Sequence, residues 1–122
     1  MAKVLLVGLL PEVVDFAKFP GLTVERLAAA LAAQEAALRE RGVDARWCLV
    51  DLGATAEAVV RAELEGVPHD VVLVGAGVRT VPEYLLLFER LVNVIHEHAP
   101  GAKICFNTRP DDTVEAVLRW LV

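Results

Sequence analysis

Asp70-Val71-Val72-Leu73-Val74-Gly75 (DVVLVG) carries no polar residue from Val71 to Val74. A strand with one wet face alternates apolar and polar side chains. A uniform run therefore predicts a strand covered on both faces, the condition of a parallel sheet between helical layers. Three further runs are nearly continuously apolar rather than alternating: Lys3 to Gly8 (KVLLVG), Ala45 to Leu52 (ARWCLVDL) and Lys103 to Asn107 (KICFN). Each reads as a strand.

Helical patterns separate the runs. The first is predicted from Val24 to Arg41, with Thr23 as N-cap, Glu25 in the first turn, and Arg39 and Arg41 before a terminating Gly42. The second, Ala56 to Glu65, has Thr55 as cap, a stripe of Ala56, Val60 and Leu64, and a stop at Gly66 and Pro68. In the third, Thr80-Val81-Pro82-Glu83 reads as a capping box leading a helix to about His98. Asp112-Thr113-Val114-Glu115 repeats that device for a fourth helix running to the C-terminus. Alternating strands and helices joined by right-handed crossovers predict a three-layer α/β/α sandwich. Its four-stranded parallel sheet has the order 2-1-3-4, with the Ala45 and Lys103 strands at the edges.

In such a sheet ligands bind beyond the carboxyl ends of the strands, where the winding direction reverses, here between the first and third strands. Gly75-Ala76-Gly77-Val78-Arg79-Thr80 (GAGVRT) falls there. Gly75 and Gly77 let backbone amides approach a ligand, Arg79 offers a planar fork for carboxylate or phosphate, and Thr80 begins the next helix. The third glycine of a dinucleotide fingerprint is missing, and Glu83 puts negative charge at the helix start, so a tight turn into a capped helix is the competing reading. From the neighbouring strand come Asn107-Thr108-Arg109-Pro110-Asp111-Asp112. Arg79 and Arg109, one strand apart at roughly 5 to 10 Å, are expected to converge with Asn107 on one anion. The alternative for Arg109 is a surface pair with Asp111 or Asp112.

Between the first strand and first helix lies a connection of about fourteen residues, far above the usual two to six. Its Glu12 and Asp15 are candidate acids or bases. Its Val13, Val14, Phe16 and Phe19 suit either a lid over the site or packing against the body or a second subunit. Asp51 reads as a partner for the following helix start, with a ribose-binding acid as the alternative. His69, His96 and His98 have no metal-ligand spacing and receive no chemistry.

Taken together, KVLLVG, the PEVVDF loop, GAGVRT with LLLFERLVN, and NTRPDDTVEAVLRW resemble a set of small, uncharacterised bacterial proteins of unknown function and similar length. The resemblance covers most of the chain. It implies a flavodoxin-like or Rossmann-like α/β unit and carries no activity with it. Signatures of other proteins built this way are missing. A two-component receiver wants paired acids after its first strand and a flavodoxin wants hydroxyls there. Low-molecular-weight tyrosine phosphatases and phosphotransfer subunits want a cysteine. Gly8-Leu9-Leu10-Pro11 supplies none of these.

The 122 residues suffice for one domain, and 56% apolar residues suffice for its core. A formal net charge of -5 argues against nucleic-acid or anionic-membrane binding, and no run is long enough to cross a bilayer. Cys48 and Cys105 sit in apolar runs without CxxC spacing, so buried free thiols in a reducing cytoplasm are expected, with no metal and no cofactor. The third helix is apolar over a wide girth, through Tyr84-Leu85-Leu86-Leu87-Phe88 and on to Leu91, Val92, Val94 and Ile95. With Trp120, Leu121 and Val122 it suggests a homodimer. Two functions fit: a small anionic-metabolite-binding domain or enzyme, and a non-catalytic homo-oligomeric interaction module.

Overall fold

β1 (Lys3–Leu9) occupies the middle of the sheet because all but its first residue are buried. In the computed structural model, which describes residues 1–121, it pairs in parallel with β2 (Asp44–Val50) and with β3 (Val71–Val74). β3 in turn pairs with β4 (Lys103–Phe106), giving the order β2-β1-β3-β4. This is the expected three-layer α/β/α arrangement of flavodoxin-like topology, with β2 and β4 as edges.

Side chains alternate between two helical layers along each strand. Leu5, Val7, Val72 and Val74 face α2 (Ala56–Gly66) and α4 (Leu85–His98), meeting Val60, Leu64, Leu91 and Ile95 in one core. Val4, Leu6, Val71 and Leu73 face the opposite layer, formed by α1 (Val24–Glu40) and α5 (Thr113–Leu118), and meet Leu38, Ala116 and Val117. Two apolar faces per strand account for the unbroken apolar runs.

Local signals place several helix ends. Thr23 Oγ1 accepts from the Arg26 N–H at 3.1 Å, and Gly42 closes the far end at φ +80°, a conformation costly for any residue with a Cβ. Other expected ends are corrected. Thr55 does not cap α2; its hydroxyl donates to Asp51 Oδ2 at 2.7 Å, while Asp51 Oδ1 accepts from the Gly53 and Thr55 amides at 3.0 and 3.1 Å. Asp51 is thus the anchor of that helix start.

The Thr80/Glu83 box is absent too. GAGVRT folds into a one-turn helix, α3 (Ala76–Arg79), and Thr80 ends it by donating its hydroxyl to the Ala76 carbonyl at 2.7 Å. Val81, buried and extended, separates this turn from a 3-10 turn at Pro82–Tyr84, so α4 starts at Leu85. Glu83 instead reaches Lys18 Nζ at 2.7 Å, tying the long connection after β1 to this segment. At α5 a 3-10 turn, Pro110–Asp112, precedes Thr113, and the helix stops at Leu118 short of the C-terminus. The part assigned to Val122 in an apolar terminal surface lies outside the described residues.

Candidate functional site

Beyond the carboxyl ends of β1, β3 and β4 lies a cavity of about 290 Å³. One wall is polar: Gly75, Gly77 and Thr80 come from the β3 side, and Asn107, Thr108 and Arg109 from the end of β4. The facing wall is apolar, built by Phe19 and Leu22 of the long connection, Leu27 and Leu31 of α1, and Trp47 of β2. Leu27 and Leu31 are four apart on α1 and share a face. The Trp47 indole N–H donates to the Leu31 carbonyl at 2.8 Å, leaving the ring as apolar surface.

Asn107 holds the polar wall together. The Thr113 hydroxyl donates to the Pro110 carbonyl at 2.7 Å, so its oxygen accepts from Asn107 Nδ2 at 2.9 Å. That orients Asn107 Oδ1 toward the Ala76 N–H, which donates to it at 2.7 Å. A buried side chain from the β4 end therefore satisfies an orphan amide at the start of α3. Its amide group is committed to the protein.

The expected convergence of Arg79 and Arg109 is corrected by the helical turn. At about 100° per residue, Ala76, Gly77 and Thr80 share one side of the turn, and Val78 and Arg79 point away. The first three line the cavity, while Val78 joins the core toward α4. Arg79 donates from Nη2 to the Asn107 carbonyl at 2.9 Å and lies over the Phe106 ring at 5.8 Å, in cation–π range. Its Nε is buried without a partner. Arg79 does not line the cavity; Arg109 does, with its Nε 2.5 Å from Asp111 Oδ1 in an exposed pair.

Beside Arg109, Asp112 accepts from the amides of Thr108 and Arg109 at 3.0 and 3.2 Å and from the Thr108 hydroxyl. Burial works to raise the pKa of Asp112, but these bonds to its charged form outweigh it and hold the carboxyl below the usual aspartate range. Neither Glu12 nor Asp15 lines the cavity; both are exposed, and Asp15 Oδ1 accepts from the Ala17 amide at 3.1 Å. Val13 and Val14 pack against the core, and Val14 and Phe19 reach the cavity, so the connection forms a wall of it. Of the apolar lining, the sequence reading anticipated Val14 and Phe19, as a lid or a packed segment, while Leu22, Leu27, Leu31 and Trp47 escaped it. The signal for the leucines was the continuation of Phe19 and Leu22 into the Leu27–Leu31 stripe.

A second recess lies at the opposite end of the sheet, lined by His69 and His98 among others. Burial, with the nearby Lys3 charge, lowers the pKa of His69. Among the described residues no group of three His, Cys, Asp or Glu side chains is arranged to hold a metal ion. Both cysteines are buried free thiols pushed up by burial to about 11, and no helix is long and apolar enough to cross a membrane.

Fold and cavity together define a small α/β/α domain with a pocket at its topological switch point. No family model and no curated protein matches the chain.

Proposed function

We propose that this chain binds a small anionic metabolite in the cavity at the ends of β1, β3 and β4. The observation that carries the reading is the meeting of Gly75, Gly77 and Thr80 with Asn107 and Arg109 around one cleft, partly open to solvent, at the switch point. Arg109 is the anion contact, since its exposed pair with Asp111 is weak enough to be exchanged for a ligand. Asn107 and Arg79 position the two segments. Binding is favoured over catalysis because the described lining residues include no Asp, Glu, His, Cys, Lys or Tyr to act as acid, base or nucleophile. The buried thiols fit a reducing cytoplasm, and the likeness to small bacterial α/β proteins fits the fold.

The test is a thermal-shift panel of inorganic phosphate, nucleotides and short carboxylic acids on wild type, Arg109→Ala and Arg79→Ala. A ligand-induced rise is expected in wild type, lost in Arg109→Ala. In Arg79→Ala the starting Tm drops but the increment survives. A rise undiminished in Arg109→Ala overturns the assignment.

A second reading, a homodimeric interaction module, is favoured by Leu85 and Leu86, 60% and 57% exposed side by side at the start of α4. Sedimentation is expected to show a concentration-dependent dimer that Leu85→Glu/Leu86→Glu dissociates. A wild-type monomer at every concentration ends this reading.

A further inference from the structure

We propose that the ligand class is a monocarboxylate carrying a compact apolar or aromatic body of roughly ten non-hydrogen atoms; the proposal rests on Arg109 as the anion contact. Three observations lead there. The first is the apolar wall. Phe19, Leu22, Leu27, Leu31 and Trp47 offer no hydrogen bond to a sugar or a polar metabolite, because the one polar side-chain atom among them, the indole nitrogen, is already bonded to Leu31. Gly8 secures this surface. A Cβ there would sit 3.1 Å from Trp47 Cζ3 and push the ring back by a few tenths of an ångström, so glycine lets the indole lie this close to β1 without a shift.

The second is the charge at the polar wall. Arg109 is the single charged side chain among the described lining residues, and Asp111 and Asp112 stand beside it. Two carboxylates next to one guanidinium repel a doubly charged phosphate. A single carboxylate can take the place of Asp111 on the guanidinium fork. The remaining polar groups make no demand for more charge, since the Thr80 and Thr108 hydroxyls and the Asn107 amide all have protein partners. The third is size. A cavity of about 290 Å³ stands at the small end of ligand pockets, which run from roughly 300 to 1,000 Å³, and suits a compact body such as octanoate or phenylacetate.

The molecule has two tryptophans, Trp47 in the cavity wall and the half-exposed Trp120. In Trp120→Phe, emission reports Trp47 alone. This protein and its Arg109→Ala derivative are titrated with octanoate, phenylacetate, acetate, inorganic phosphate and 1-octanol, following Trp47 emission and, in parallel, heat of binding. The expected result is saturable binding of octanoate or phenylacetate, at least tenfold tighter than acetate, phosphate or octanol and weakened at least tenfold by Arg109→Ala. If acetate or phosphate binds as tightly as octanoate and Arg109→Ala abolishes it, the apolar-body proposal falls while the anion-binding reading stands. If octanol matches octanoate and Arg109→Ala changes nothing, the anion-binding reading falls as well. Absence of heat and of any emission change with all five probes overturns both.

Discussion

Asn107 is where two distant segments of chain are made into one wall. Its Oδ1 takes the Ala76 N–H, and its Nδ2 is bonded to Thr113 inside the protein. Asn107→Leu keeps the volume but leaves the Ala76 amide without a partner. With the bond to Thr113 also gone, a loss of about 3 kcal/mol is expected in urea unfolding. A loss under about 0.5 kcal/mol would show that water replaces both bonds. Asp112 makes a pH-dependent contribution. Its folded pKa is depressed, so the stability it adds is fully present above the unfolded aspartate value of about 3.9 and is lost as pH falls through the lower folded value. The stability gap between wild type and Asp112→Asn is therefore expected to be constant above about pH 5 and to shrink in more acid solution. A gap independent of pH from 6 to 2 contradicts this. At this scale the sequence named Asn107, Arg79 and Arg109 as neighbours. It did not show the direction of Arg79, which depends on whether GAGVRT is a loop or a helical turn.

Among the elements, α1 and α4 begin by different means although both starts carry a Thr-x-x pattern. Thr23 is followed by continuous helix, and its hydroxyl caps α1. Thr80 is followed by Val81, whose burial requires an extended residue just where a capping box needs helix. The hydroxyl of Thr80 is then free for the Ala76 carbonyl, and Glu83 for Lys18. Thr23→Ala is expected to cost about 1 kcal/mol by loss of a cap, and Thr80→Ala less than about 0.5 kcal/mol. Equal losses in chemical denaturation would restore the box. Cap motifs were thus legible where helix propensity continued without interruption, and misleading where a core side chain broke in.

On the scale of the whole molecule, stability is concentrated in the central strands. Leu73 is fully buried in β3, whereas Leu86 on α4 is 57% exposed. Leu73→Ala is expected to cost about 2–5 kcal/mol, and Leu86→Ala no more than about 0.5 kcal/mol in dilute monomer. A large loss for Leu86→Ala at dimer-forming concentrations that vanishes on dilution would locate an interface there. The residue order alone determined four parallel strands in the order 2-1-3-4 between two helical layers. Uniform apolar runs require cover on both faces, and right-handed crossovers leave few ways to supply it. Tertiary structure decided the character of the cavity. One turn of helix carries Arg79 onto Phe106 and away from Arg109, while α1, β2 and the long connection bring together Leu31, Trp47 and Phe19. Those meetings join residues far apart in the chain, through side-chain rotation and packing that no local spacing encodes.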